Sequence, residues 1–328
     1  MYSLRYNFGG YNDAIASHMQ ALINNSSVFL NKQNENHQLE DFNHDADALA
    51  GSIQNVEEYL YHCYKEYPQE FGHILNSIIN DVRTIAVLPS NRRGIYGESQ
   101  VKNKIIYINP SLPDTFYLKG EERTRLYMAH ELGHVINNQW MKKVIDYANW
   151  ELKNGFLTKE DAQLIYDGFS MLDEATTQNR AEEFVYKFAK KSRPPLYEYK
   201  SKRLYNGSPF KSNFDYYREL QEPATMFART LRGIGKINDD VQALNMLSKR
   251  ALSPKFFDTI LHEYTHDGQT KAFMQETQCM GLIKRASYAN FGYEDQIYLK
   301  NSKNYFDSLK TITSKMKDTR DPIEDFER

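Results

Sequence analysis

Residues 1–81 carry apolar positions at a helical spacing. Between Asp47 and Tyr64 the apolar residues recur every three or four positions, which places them on one face of a helix. Before this segment lies a polar, Asn-rich stretch at 24–43, which predicts a loop or a frayed helix end. The apolar face of the predicted helix consists of Leu49, Ile53, Val56, Leu60 and Cys63.

A different pattern follows in two short segments that are rich in β-branched residues. Residues 84–88 (TIAVL) and 104–109 (KIIYIN) are each bounded by turn-forming residues, as is typical of short strands. The connection between them contains Gly94 and Gly97. We therefore predict a small antiparallel β-sheet of roughly two to four strands.

Helical spacing returns after residue 120 and continues along most of the remaining chain. Thr158 and Asp161 have the spacing of a capping box, so a helix is predicted from there to about Lys190, with a break at Asp167-Gly168. Later helices are predicted over 216–232, 240–250, 254–266, 270–287 and about 294–317.

Together these patterns predict a mainly α-helical protein with a small antiparallel sheet, in the α+β class. The Pro194-Pro195 pair is the clearest interruption of the helical pattern and marks a candidate boundary. The predicted division is an N-terminal helical region at 1–81, a core at 82–192, a helical C-terminal subdomain at 193–293, and a last helix with a charged tail at 294–328.

Composition and charge exclude several classes of function. The 41 basic and 43 acidic residues give a net charge of −2, so no basic excess supports nucleic-acid binding. No apolar run is long enough to span a membrane, and the N-terminus lacks the pattern of a secretory signal. The two cysteines, Cys63 and Cys279, have no CxxC partners, which argues against a disulfide framework or a cysteine-built zinc site. We expect a cytoplasmic protein with no membrane partner, and export by a non-Sec route stays open.

The candidate chemistry lies in an HExxH sequence, His130-Glu131-Leu132-Gly133-His134. Four residues turn an α-helix by about 400°, so the two histidines lie about 40° apart, one turn above the other. Their imidazoles can converge on one cation, and zinc binds neutral imidazole well. Glu131 would lie close enough to exchange a proton with a water on that cation without being a ligand.

A catalytic zinc needs a third protein ligand and an open position. The best candidate is Glu174, forty residues after His134 on a predicted return helix, followed by the small Ala175. Competing acids on the same helix are Asp173, Glu182 and Glu183.

HELGH followed by a Glu-Ala pair on a later helix resembles the gluzincin branch of the zincin metallopeptidases, over roughly residues 82–190. The resemblance implies zinc held by His130, His134 and Glu174, with peptide bonds hydrolysed through a zinc-bound water and Glu131 as general base. It also implies that 82–192 is the catalytic core and that an edge strand before the motif helix binds a peptide or protein substrate. No HxxGxxH extension follows His134, so the metzincin branch is excluded.

A second HExxH occurs at His262-Glu263-Tyr264-Thr265-His266, with Asp267 and Gly268 directly after it. This context is poorer for a buried helix, and the only nearby third ligand is Glu276. The motif stays open as a zinc site, as a chance surface pattern or as a wall of the first cleft. Candidates for stabilising an oxyanion are Tyr166, Tyr216, Tyr217 and His262.

Two functions are compatible with the sequence. The first is a zinc metallopeptidase, most simply an endopeptidase. The alternative is a helical binding or regulatory module with a latent or inactive zincin site, suggested by the large helical region after residue 195. The sequence does not indicate the oligomeric state.

Overall fold

The structure is a computed structural model, which describes residues 2–33, 39–87, 97–108, 118, 120–191, 213–235, 237, 239–266 and 268–289. Over this part of the chain the protein is mainly α-helical with one small sheet of three strands, as the sequence predicted at that level. No helix among the described residues is both long and apolar enough to cross a membrane. The predicted boundary at 192–195 and the predicted last helix at 294–317 lie outside the described residues.

Nine α-helices are described, together with short 3-10 turns at Gly9–Tyr11 and Val101–Asn103. Before the sheet come α1 (Asn12–Gln33), α2 (Leu39–Glu66) and α3 (Phe71–Asp81). After it come α4 (Glu121–Lys153), α5 (Lys159–Phe188), α6 (Asn213–Ala228), α7 (Asp240–Arg250), α8 (Phe256–His266) and α9 (Thr270–Ala289).

The sheet contains β1 (Thr84–Val87), β2 (Gly97–Gln100) and β3 (Ile105–Ile108) in the order β1-β3-β2. β2 and β3 are antiparallel, joined by a tight turn in which Lys104 takes a positive φ of 60°. β1 is parallel to β3, so the expected antiparallel sheet is in fact mixed. The prediction was wrong because apolar alternation marks a strand but does not say which neighbour it pairs with.

Burial differs between the strands. Ile85, Ala86 and Val87 of β1 are buried, and α1 and α2 pack against this strand. In β3 only alternate residues, Ile106 and Ile108, are buried. All four residues of β2 are half-exposed, and β2 is an outer strand among the described residues.

The chain divides into two compact units. Unit 1 contains residues 1–138 and 180–193, and unit 2 contains residues 139–179 and 194–328. The interior of unit 1 includes the fully buried Phe8, Tyr59 and Leu60, and the buried thiol of Cys63. The interior of unit 2 is built on aromatic residues, among them Trp140, Phe169, Phe227, Phe256 and Phe273. The four-part division of the chain stays a prediction.

Three local expectations have clear outcomes. Thr158 accepts a hydrogen bond from the backbone N–H of Asp161, and the Thr158 N–H and hydroxyl donate to the Asp161 carboxylate, which confirms the capping box of α5. The expected break at Gly168 is wrong, because α5 continues through it. The Asn-rich stretch is helical over 24–33 and 39–43, since α1 and α2 extend into it.

Candidate metal centre

Helix α4 carries the first HExxH sequence in a buried environment. Gly120, with a positive φ of 50°, precedes the helix, and Glu121 and Glu122 occupy its first turn, where the helix dipole favours acids. The helix is buried on nearly every face around the motif: His130 is 1% exposed and Glu131 is 6% exposed. His134 is half-buried. The helical spacing predicted from the sequence is therefore present, and the His130 imidazole and the Glu131 carboxylate lie away from bulk water.

The two histidines point their Nε2 atoms at each other. These atoms are 3.0 Å apart, and the rings are nearly perpendicular, with centroids separated by 4.6 Å. Two nitrogen ligands on one tetrahedral zinc, each about 2.05 Å from the metal, stand about 3.3 Å apart. The pair thus already has close to the separation that a shared ion requires.

Glu174 on α5 completes a group of three potential ligands with His130 and His134. Their ligand atoms all lie within 4.8 Å of one another, and no other such group of three is found among the described residues. Two imidazole nitrogens and one carboxylate oxygen are a donor set that suits zinc and leaves a coordination position open. The structure therefore brings together the three residues predicted as ligands.

The competing acids on α5 have other surroundings. Glu183 accepts a hydrogen bond from the Tyr67 hydroxyl at 3.1 Å. Glu182 is fully buried, and Asp173 lies 3.5 Å from the Thr177 hydroxyl, which donates to it. None of the three belongs to the histidine group.

A buried polar contact fixes α4 and α5 close to the motif. Arg180 Nη2 donates to Asn137 Oδ1 at 3.0 Å, and both side chains are almost fully buried. Asn137 lies one turn after His134 on α4. A charge-assisted bond in a low-dielectric interior is geometrically demanding, so it constrains how the two helices meet. This pair could not be predicted from the sequence, because nothing local distinguishes Asn137 or Arg180 from surface residues.

The second HExxH sequence has the opposite arrangement. His262 and His266 are exposed on α8, whereas Glu263 is buried, accepting hydrogen bonds from Arg250 Nη1 at 3.0 Å and from the Arg232 backbone N–H at 3.1 Å. The proposed third ligand, Glu276, is fully buried and accepts from the Tyr264 hydroxyl. The motif carries no group of three ligands among the described residues, and α8 ends just before Gly268, whose φ is +66°.

Of the candidates for an oxyanion donor, Tyr166 lies on the same helix as the predicted ligand Glu174. It is half-buried on α5, and its pKa is raised first by burial and then by the negative charges of Asp173, Asp167 and Glu174. A raised pKa keeps the phenol protonated and able to donate. The side chains of Tyr216 and Tyr217 lie outside the described part, and His262 is exposed.

No protein-family model, no curated protein and no solved structure matches the chain.

Proposed function

We propose that the protein is a zinc-dependent metallopeptidase that hydrolyses peptide bonds within a peptide or protein chain. The single observation that carries this proposal is the convergence of His130, His134 and Glu174, with ligand atoms within 4.8 Å of one another, on two helices. The HExxH spacing, the buried Glu131 and the sheet that precedes α4 support the same conclusion.

The donor chemistry favours zinc over other common ions. Calcium and magnesium prefer sites made entirely of oxygen ligands, whereas two imidazoles and one carboxylate suit zinc with an open position. His130, His134 and Glu174 would hold the ion. When bound, zinc would supply a Lewis acid and a water of lowered pKa.

Glu131 supplies the proton transfers in this proposal. Its carboxylate follows His130 directly on α4, and it is almost fully buried, so few waters compete for it. The carboxylate takes a proton from the attacking water and later delivers it to the nitrogen of the leaving amine.

The outer strand β2 supports recognition of an extended peptide. β2 pairs with β3 on one side, and its four residues are half-exposed. Among the described strands β2 lies at the outside of the sheet, and an outer strand can offer backbone N–H and C=O groups to a peptide that adds to the sheet. The recognition would then depend mainly on backbone groups.

The proposal is tested with wild type and Glu131→Gln, each assayed against fluorogenic peptides and labelled casein, with zinc measured by mass spectrometry. Glu131→Gln should lower cleavage by about 10²- to 10⁴-fold, because a general base is lost. Its zinc content should stay near that of wild type, because Glu131 is not a ligand. His266→Ala is the matched control and should cleave as wild type does. Cleavage that survives Glu131→Gln, or that does not respond to chelators, would refute the proposal.

The alternative, a binding or regulatory module with an inactive zincin site, has one structural observation in its favour. Residues 213–289 contribute four helices to an extensive apolar interior in unit 2, more than a metal site alone requires. Wild-type protein that binds zinc at His130 and His134 but cleaves none of the substrates would favour this alternative.

A further inference from the structure

Gly97, the first residue of β2, lies directly against the carboxylate of Glu131. A β-carbon at position 97 would lie 2.8 Å from Glu131 Oε1, 2.9 Å from Cγ and 3.2 Å from Cδ. Ordinary contacts of a β-carbon begin at 3.4 Å. The Glu131 side chain therefore occupies space that every other amino acid would fill.

The role of Gly97 is to leave this space, since the backbone does not require glycine here. Gly97 is not among the residues with positive φ, so alanine fits the local conformation. It pairs with Ile108 across the sheet, and Ser99 pairs with Ile106. Paired residues share a face, so Glu131 reaches the face that carries the buried side chains of both isoleucines.

We propose that Gly97 is a positioning residue, which holds the Glu131 carboxylate in place by the absence of a side chain on β2. The proposal rests on the proposed function, because it assigns Gly97 through the role of Glu131 as a base. Gly97 also places the Glu131 carboxylate against the strand that would bind an extended peptide. The backbone of β2 would then position both the peptide and the base.

An added methyl group should disturb the base more than the fold. Restoring ordinary 3.4 Å contacts requires Oε1 to retreat by about 0.6 Å and Cγ by about 0.5 Å. Because only side-chain atoms have to move, rotation of the Glu131 side chain can make this adjustment, and the rotation displaces the carboxylate. Misplacing a catalytic group by about 1 Å can cost about 100-fold in rate.

The first experiment compares Gly97→Ala with Gly51→Ala, a control on α2 where a β-carbon meets nothing within 4 Å. The substrate is the fluorogenic peptide that wild type cleaves fastest. Gly97→Ala should lower kcat by about 10- to 100-fold with KM, zinc content and circular dichroism unchanged, and Gly51→Ala should match wild type. Unchanged kcat, or a loss that resides only in KM, would overturn the positioning role.

The second experiment tests the contact between Gly97 and Glu131 without any assay of cleavage. Cγ of Glu131 is 2.9 Å from the β-carbon position at Gly97 and one C–C bond of about 1.5 Å from its own Cβ, so the two β-carbons lie within about 4.4 Å. This separation fits a disulfide. The double variant Gly97→Cys/Glu131→Cys, oxidised with diamide, should form that disulfide, and the control Gly51→Cys/Glu131→Cys should not.

The two experiments separate the possible failures. A folded Gly97→Cys/Glu131→Cys variant without the disulfide would overturn the contact. A disulfide together with unimpaired Gly97→Ala would overturn the positioning role while the proposed function stands. A wild type that cleaves nothing would overturn the proposed function and the positioning role together, and the disulfide would still report the contact.

Discussion

At the scale of single residues, the histidines of the two HExxH sequences differ in their surroundings. His130 is buried and its Nε2 lies 3.0 Å from that of His134, whereas His262 and His266 are exposed. His134→Ala should therefore purify without zinc, and His266→Ala should retain about one zinc ion per chain. Metal analysis of both variants checks this, and the reverse pattern would move the centre to α8.

The identity of the third ligand is also a residue-scale prediction. Glu174→Gln should weaken zinc binding by at least about 100-fold, beyond the 10- to 100-fold typical of a group outside the coordination shell. Asp173→Asn changes the neighbouring residue, which lies outside the group of three. This variant should lose no more than about 10- to 100-fold in zinc affinity. Competition against a fluorescent zinc chelator measures both affinities. Equal losses in the two variants would contradict the assignment.

Residues of the candidate site differ in how far the sequence reveals them. The convergence of His130 and His134 follows from a local spacing, because a helix places positions i and i+4 together. Glu174 could be proposed because a return helix was expected at the right distance. Gly97 could not, since its contact with Glu131 joins a strand to a helix, and the sequence pattern placed Gly97 only in the connection between the two predicted strands.

At the scale of elements, α5 and α9 approach until their backbones touch. A β-carbon at Gly168 would lie 2.2 Å from the Thr277 carbonyl oxygen, and one at Gly281 would lie 2.2 Å from the Leu164 carbonyl oxygen. Because backbone atoms cannot move aside as a flexible side chain can, Gly168→Ala and Gly281→Ala should each lower the free energy of unfolding by about 1–3 kcal/mol or more.

Urea denaturation of the two variants measures this loss. Gly51→Ala is the control, since a β-carbon there meets no atom within 4 Å and alanine favours a helix more than glycine does. It should leave the stability of the protein unchanged or raise it. Gly168→Ala and Gly281→Ala with wild-type stability would show that the helices can separate at no cost.

The same contact explains why the expected break at Gly168 was wrong. Glycine is a weak helix former, so local preference favours an interruption, but close packing of α9 stabilises the helix through that position. The sheet likewise depends on contacts that local sequence preference does not predict. Both predicted strands exist, yet the parallel pairing of β1 with β3 depends on contacts far apart in the chain.

At the scale of the whole molecule, two buried histidines link stability to pH. His18 and His62 lie in unit 1, and burial lowers the pKa of each to about 4. The Arg83 charge acts in the same direction on His18, and for His62 the opposing charges of Glu66 and Lys187 follow burial in importance.

The sign of the pH dependence follows from these values. Above pH 6.5 neither the folded nor the unfolded chain protonates these groups. Between pH 6.5 and 4 these histidines are protonated in the unfolded chain but not in the folded protein, so the free energy of unfolding falls by up to about 3 kcal/mol per histidine. Below the pKa that each histidine has in the folded protein, this loss levels off. Urea denaturation at each pH should show this loss, with a chelator present so that metal release does not contribute.

Matched glutamine variants assign the effect to these side chains. His18→Gln and His62→Gln should each make stability less dependent on pH over this range. His262→Gln, on the exposed face of α8, removes a histidine without altering the interior and is the control. A wild type whose stability is flat from pH 7 to pH 4 would contradict the prediction.

The chain has only two tryptophans, and both lie in unit 2. Trp140 is fully buried and donates a hydrogen bond from Nε1 to the Ala251 carbonyl oxygen at 3.0 Å, whereas Trp150 is exposed. Indole emission consequently follows unit 2 alone, whereas far-ultraviolet ellipticity follows the helices of both units. At low pH, protonation of His18 and His62 should destabilise unit 1. If the ellipticity is then lost at a lower urea concentration than the one at which the indole emission shifts, a partly unfolded species is present. Coincident transitions would mean that the two units unfold cooperatively.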